Sequence, residues 1–511
     1  MSNLENRIQK DLYTEVITTE ANEDFILPDY MPEIGRILRV TASLFPEECY
    51  VGSDGVDFSG RVLYRLLYSN SEGALTEAPL EGRYRYRTPK GEKNDASAYT
   101  EEKIESVATR PTAPRKLNIR ARISARPHLL FDEEIKSDSV LPAGASVETK
   151  FCHSDTLYRK ILHTGILHKE DRFEETGVAP DSLTLISVEN AVLPEEITAH
   201  DGYASARGKL LFTLLLQKDE ESPYIRSFAI PFDEDITCAD IRSEDALRIR
   251  AFAGSPTVCF EENENGCAVL LSSDMSMDLL CMKNRPFTTL DDFYVYGERH
   301  DIQRRSHEGE TFITSRTGNV TVSSEIPLPE EVTTLGTLLP HFTVKEASAH
   351  ILSDHMIIEG TLDALLLSFT ATSREKREAP LPFRVELPIG TSALPEDTVT
   401  FSITPVGGYA QAGKNGIRLS TELCFSASVL RRFSFSVPTS CVKTADIASA
   451  PASAITLYYP TDEDTLWSVG KKYGVPIENL KKQNGIPQEE DTAFDCDASL
   501  DGYAYLFVGG L

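Results

Sequence analysis

GRVLYRLLY (Gly60–Tyr68), GKLLFTLLL (Gly208–Leu216) and GTLDALLLS (Gly360–Ser368) are three versions of one nine-residue phrase. Each is preceded, six or seven residues back, by an aspartate: Asp54, Asp201 and Asp354. The glycines are 148 and 152 residues apart. Upstream of each stands a second landmark, LPDYMPEI from Leu27, LPEEIT from Leu193 and LPEEVT from Leu328, which lie 33, 15 and 32 residues before the glycine. On that alignment the middle copy lacks about one helix plus a loop. A third landmark follows 55–57 residues after each glycine: KLNIRARISA from Lys116, NGCAVLLSSDM from Asn265 and NGIRLSTELCF from Asn415. Three landmarks in the same order, three times over, signal an internal repeat. They divide the chain into copies at 1–170, 171–315 and 316–448.

The copies read as mainly β. Leu117, Ile119, Ala121 and Ile123 alternate with polar residues, as do Ile417, Leu419, Thr421, Leu423 and Phe425 with theirs, the period of a half-buried strand. Asp201-Gly202 and Asn415-Gly416 are hairpin signals. The LLY and LLL clusters have strand length and fit strands buried on both faces. Within the copies helix is scarcer: an amphipathic turn or two through Leu4, Ile8 and Leu12, and a short helix over Pro32–Val40 with Ile34, Ile37 and Leu38 on one face.

At 511 residues the chain is long enough for three to five domains of roughly 100–200 residues each. Its formal charge of -28 repels phosphate backbones and anionic lipid heads, which argues against general nucleic-acid or membrane-surface binding. The longest apolar runs are strand-length, well short of the roughly 20 residues a spanning helix needs. No apolar h-region follows the N-terminus, so no secretory signal is expected. Nine cysteines without a CxxC pattern read as reduced thiols rather than a disulfide scaffold or zinc ribbon.

The small, polar stretch TADIASAPASA (444–454) marks a linker, its core at 449–454, before a unit of different character at 455–511. Here Ile455–Tyr459 is strand-like, and Asp464 is an N-cap candidate for a helix whose inward face carries Leu466, Val469, Gly470 and Tyr473. Gly474 stops it. Pro476 can open a second helix with Ile477 and Leu480 inward, Gly485 ends that one, and Tyr503–Val508 is a closing strand. The segment DTLWSVGKKYGVPIENLKKQNGI (Asp464–Ile486) in this βααβ order resembles a LysM domain. It departs from the LysM pattern at Glu463, where a glycine is usual, and in the acidic stretch EEDTAFDCD before the last strand. The resemblance implies a shallow groove for N-acetylglucosamine polymers between two loops, here 461–466 and 484–487. Trp467, the only tryptophan, reads either as core or as an exposed interaction anchor.

DFILPDYMPEIGRILRV (Asp24–Val40), the three copies and the terminal LysM unit together resemble the SPOCS family of endospore-coat morphogenetic proteins, in its SipL-type arrangement. That resemblance implies tandem SPOCS-like domains, residence in the mother-cell cytoplasm and recruitment to the forespore surface. It also implies partners among coat morphogenetic proteins, chiefly the basement-layer ATPase of the coat, engaged through the LysM unit. The alternative is a LysM that binds peptidoglycan or N-acetylglucosamine glycans. For either ligand the candidate contact residues are Ile455, Asp464, Thr465, Leu466, Trp467, Asn484, Gly485 and Ile486.

Other motifs carry less. Gly408–Asn415 approaches a P-loop but ends in Asn, without the hydroxyl that magnesium needs, and it lies between two strands. Cys152, His153, His163 and His168 match no zinc spacing, and His350 and His355 add none. Glu195-Glu196 and Glu330-Glu331 recur at what the second landmark makes equivalent positions, which favours a structural role over acid–base chemistry. No GxSxG or HExxH occurs, and no cofactor, metal or catalytic set is expected; the reading is a non-enzyme. Arg83, Arg85 and Arg87, and Arg120 with Arg122, are the densest basic strips, either a solvated strand face or a contact for an acidic partner.

Overall fold

The computed structural model describes residues 6–12, 15–91, 95–136, 140–176, 178–219, 221–264, 266–327, 336–370, 374–390, 392–413, 416–447, 456–486, 500 and 502–508. Strands dominate, and they repeat one plan three times. The first unit contains β1 (Arg7–Asp11), β2 (Ile17–Ile26), β3 (Arg36–Val51), β4 (Gly55–Ser69), β5 (Leu75–Pro89), β6 (Ser97–Ala113) and β7 (Lys116–Glu134). β1, β2 and β6 all pair antiparallel with the long β7, while β3-β4-β5 form a separate meander.

The second unit follows suit with β8 (Val147–His163), β9 (Leu167–Thr176), β10 (Leu183–His200), β11 (Tyr203–Lys218), β12 (Tyr224–Thr237), β13 (Ala246–Ala253), β14 (Thr257–Asn263) and β15 (Gly266–Val295). Here β8, β9, β13 and β14 pair with β15, and β10-β11-β12 are the meander. In the third, β16 (Glu298–Pro327) and β20 (Thr398–Ala412) flank β21 (Gly416–Asp446), and β17 (Thr337–Leu352), β18 (His355–Phe369) and β19 (Arg374–Pro388) form the meander.

The three glycine phrases are β4, β11 and β18, the centres of the meanders. Each glycine faces an aromatic residue on the next strand: Gly60 Tyr84, Gly208 Phe232 and Gly360 Phe383. A Cβ there would lie 2.7, 2.2 and 2.1 Å from the carbonyl oxygens of Phe45, Leu193 and Glu346, on the strand at the other side. Close backbone approach and an overlying ring leave room only for hydrogen.

One face of each central strand packs on the alternating strand of the partner sheet. Val62, Tyr64 and Leu66 meet Leu117, Ile119 and Ala121, and Leu210, Phe212 and Leu214 meet Val269 and Leu271. Leu362, Ala364 and Leu366 meet Ile417, Leu419 and Leu423. The opposite face is buried too. Leu67, Leu215 and Leu367, each seven residues past its glycine, converge in a single cluster with Leu38, Ile186 and Leu339. Leu130, Leu280 and Leu430, spaced 150 residues apart, join in another, and Ile8, Ile135, Phe287 and Val437 in a third. The units thus close on one another about a pseudo-threefold axis. Beside the first of these clusters, Arg39 Nη2 lies 2.6 Å from Glu189, and His341 of the third unit lies 3.8 Å from the same carboxylate. Burial alone would raise the Glu189 carboxyl, but Arg39 and His341 hold it at about 2.

Several sequence expectations differ from this structure. Pro32–Val40 is not a helix. Its polar groups are claimed from outside, with Ile34 N on Pro114 O, Gly35 N on Ser69 O and Tyr68 Oη on Pro32 O, and β3 begins at Arg36. Ile8 and Leu12 do not share a helical face, because Arg7–Asp11 pairs with β7; Leu4 lies outside the described residues.

Nor does the middle copy lack a helix and loop. Leu193-Pro194-Glu195-Glu196 lies within β10, where Pro194 faces Gly208 as Pro46 faces Gly60, so its counterpart is Phe45-Pro46-Glu47-Glu48 rather than the segment from Leu27. Each first glutamate pairs the residue after its glycine, Glu47 with Arg61 and Glu195 with Lys209. Glu330-Glu331 lie outside the described residues, as does the linker 449–454. Strand pairing also divides the units earlier in the chain than positions 170 and 315. Those positions fall inside β9 and β16, whose partners are β15 and β21. Of the basic strips, Arg85 pairs with Asp57, Arg87 with Asp54, Arg120 with Glu20 and Arg122 with Glu105.

Candidate binding site in the C-terminal unit

After the third unit come β22 (Thr456–Tyr458), α1 (Leu466–Tyr473), α2 (Ile477–Asn484) and β23 (Leu506–Val508), with β22 and β23 antiparallel. Thr465, not Asp464, is the N-cap of α1. Its hydroxyl accepts from Ser468 N, while Ser468 Oγ accepts from Thr465 N, a reciprocal capping box. Gly474 and Gly485 close the two helices in the left-handed conformation, at φ 64° and 62°. Leu466, Val469, Ile477 and Leu480 form the core with Leu506 and Val508.

Asp464 instead organises the loop before α1. Its Oδ2 accepts from Thr461 N (2.8 Å), Thr461 Oγ1 (2.9 Å) and Tyr458 Oη (2.8 Å). The Thr461 amide and the Tyr458 hydroxyl hold its carboxyl below the usual range. Asn484 does the same for the second loop. Its amide nitrogen donates to Phe507 O (2.9 Å) and its oxygen accepts from Phe507 N (2.7 Å), clipping α2 to β23. Both side chains are therefore committed to shaping the two loops. Among the described residues, the loops turn outward Thr461, Asp462 and Glu463 on one side and Gly485 on the other. Leu457 of β22 is also exposed, as are Tyr459, Tyr503 and Tyr505 beside the two strands.

Trp467 is turned the other way. It is 6% exposed, because it lies against the end of β15. Its Nε1 donates to Asp292 Oδ2 at 2.9 Å, Lys471 Nζ reaches the same oxygen at 2.5 Å, and the Tyr294 ring meets the indole edge-on at 5.1 Å. Tyr294 Oη donates to Val475 O (2.8 Å) and Gly297 N to Gly474 O (3.1 Å). Two glycines make this approach possible. A Cβ on Gly470 would stand 2.5 Å from Tyr294 Oη, and one on Gly474 would stand 2.7 Å from Gly297 N.

Of the residues expected to contact a ligand, Leu466 is core, Trp467 is an internal anchor, and Asp464, Thr465 and Asn484 build the loops. Gly485 and Ile486 lie on the second loop, and Ile455 lies outside the described residues. Sequence reasoning missed Asp292, Tyr294 and Gly297. Nothing local in the run Asp291–Gly297 points to a partner 175 residues away. The one available signal was the lone tryptophan beside, rather than on, the core stripe. Among the other motifs, His163 and His168 are directed at different carboxylates, Asp278 (2.6 Å) and Asp274 (2.9 Å). Gly408–Gly413 runs into the β20–β21 connection, and Lys414 and Asn415 lie outside the described residues.

Comparison with curated proteins and with solved structures finds no match. The family model of the LysM domain matches residues 461–489. That span contains the capped α1, the glycine-closed α2 and both loops. The chain carries a LysM domain at residues 461–489, docked through Trp467 onto its second β unit.

Proposed function

We propose that this chain is a non-enzymatic adaptor that binds its target through the two outward loops of the LysM domain. The observation that carries the reading is the docked geometry. The β body takes up the Trp467 face of the domain, while Thr461–Glu463 and Gly485 stay open. A binding module fixed to a large body, rather than trailing on a tether, suits a part that must hold partners in a set orientation. On the SPOCS-like resemblance, the target is the basement-layer ATPase of the endospore coat, reached from the mother-cell cytoplasm at the forespore surface. The three β units would supply further contacts to coat morphogenetic proteins.

One observation favours a second reading, LysM binding to peptidoglycan or N-acetylglucosamine glycans. Asp464 and Asn484 build two well-formed loops, and the exposed tyrosines nearby offer flat rings of the kind that pyranose faces stack on. The test uses the full chain, wild type and Asp464→Ala, against the purified coat-base ATPase and against purified peptidoglycan. Capture of the ATPase by wild type, weakened in the variant while Trp467 emission is unchanged, supports the adaptor. Sedimentation with peptidoglycan alone assigns the glycan reading. Binding to neither refutes both.

A further inference from the structure

A cleft of about 240 Å³ opens between the first and second β units. Pro46, Phe58 and Glu102 line one side, and Ile166, Met277 and Asp278 the other. Glu102 accepts hydrogen bonds from two neutral hydroxyls, Tyr84 Oη on Oε2 and Tyr86 Oη on Oε1, both at 2.6 Å. It belongs to no ion pair among the described residues. The guanidinium groups of β13 are committed elsewhere, Arg250 to Asp278 (2.6 Å) and to Thr100 O, and Arg248 to Glu101 (3.3 Å). Asp278 also accepts from His163. Burial pushes the Glu102 carboxyl up, although both tyrosine hydroxyls and Arg250, which shares the cleft wall, pull the other way.

The internal repeat supplies a control. β3 faces β13 across this junction as β10 faces β20 across the next. Reading the same register positions, Tyr84 corresponds to Phe232 and Phe383, each opposite its unit's glycine. Glu102, opposite Ala125, corresponds to Ala253 opposite Met275 and to Ile403 opposite Phe425. Arg250, opposite Asp278, corresponds to Thr400 opposite Ser428. The second junction has Phe232, Ala253, Thr400 and Ser428 at these positions; the carboxylate it carries at the Tyr86 position, Glu234, is paired with Lys169. The fold does not require Glu102 or Arg250, and burying an unpaired carboxylate is unfavourable unless something compensates it. Polar groups that converge on a cleft between units, against apolar walls, are the ordinary make-up of a small-ligand site.

We propose that this cleft binds a small alkylammonium ligand, its ammonium group held by Glu102 and its carbon chain lying against Phe58, Ile166 and Met277. A cleft of about 240 Å³ has room for a short diamine. The carboxylate supplies the counter-charge for the ammonium group, and the tyrosine hydroxyls keep its oxygens aimed. The proposal stands apart from the LysM reading.

The test is calorimetric titration of the full chain with 1,4-diaminobutane and, separately, with butane-1,4-diol, the neutral counterpart. The diamine should bind at one saturable site and the diol should not. The double variant Tyr84→Phe, Glu102→Ala installs what the second unit already has at these positions, and it should fold and lose at least ten-fold in affinity. Glu102→Gln, which retains an acceptor for the tyrosines, should lose as much. No saturable heat with the diamine, equal binding of the diol, or either folded variant binding as tightly as wild type would overturn the proposal.

Discussion

Replacing Asp292 by alanine removes a carboxylate that ties the LysM domain to the β body by hydrogen bonds to two of its side chains. Its Oδ2 accepts from the buried indole Nε1 of Trp467 and from Lys471. A hydrogen bond to a charged group contributes about 1.5–3 kcal/mol. Lys471 is 40% exposed, so its ion pair adds only about 0–1 kcal/mol after solvent screening. The indole N–H would be left against Tyr294 without its acceptor. Docking should weaken by about 2–3 kcal/mol, which raises the undocking constant roughly 30–150-fold.

Because Trp467 is the only tryptophan, its emission reports this contact without a label. The Asp292→Ala protein should show red-shifted emission, stronger acrylamide quenching, and faster amide exchange in α1 than in β4, β11 or β18. Unchanged emission and exchange in a folded Asp292→Ala protein would refute the claim that this carboxylate anchors the domain.

Other consequences follow from the fold. Gly208→Ala places a methyl group 2.2 Å from Leu193 O and 2.8 Å from the Phe232 ring, and should lower stability by about 2–4 kcal/mol in denaturant unfolding. Leu215→Ala opens a cavity where three units meet and should cost about 2–5 kcal/mol. Glu189 titrates at about 2 when folded against 4.5 when unfolded. Its stabilisation is therefore complete above about pH 4.5 and is lost as pH falls toward 2, and it amounts to about 3 kcal/mol at most. The Tm of Glu189→Gln should accordingly fall less steeply than that of wild type between pH 5 and pH 2.5. Asn484→Ala unclips α2 from β23 and should speed amide exchange at Phe507 while leaving the three β units protected.

Much of this architecture was readable because its causes are local or periodic. A glycine under a neighbouring ring, with apolar residues on both strand faces, recurs in each copy, and the alternating runs at Leu117 and Ile417 lead into β7 and β21. The C-terminal helices announced themselves through Gly474, Pro476 and Gly485, whose backbone preferences act at short range. What failed depended on distant partners. Ile34, Ile37 and Leu38 have helical spacing, yet Pro114 and Ser69 take the backbone bonds a helix would need. LPEE at 193 resembles LPEE at 328 by four letters, but register against Gly208 sets its place. Trp467 was ambiguous for the same reason: its acceptor lies on a strand in another unit.

Amide hydrogen exchange of the full chain, with and without its captured partner, tests the central claim most directly. The account predicts new protection over residues 461–465 and 484–486, with α1 around Trp467 already protected in the free protein. Protection that appears first at Trp467–Gly474, or only on the β units, would contradict it.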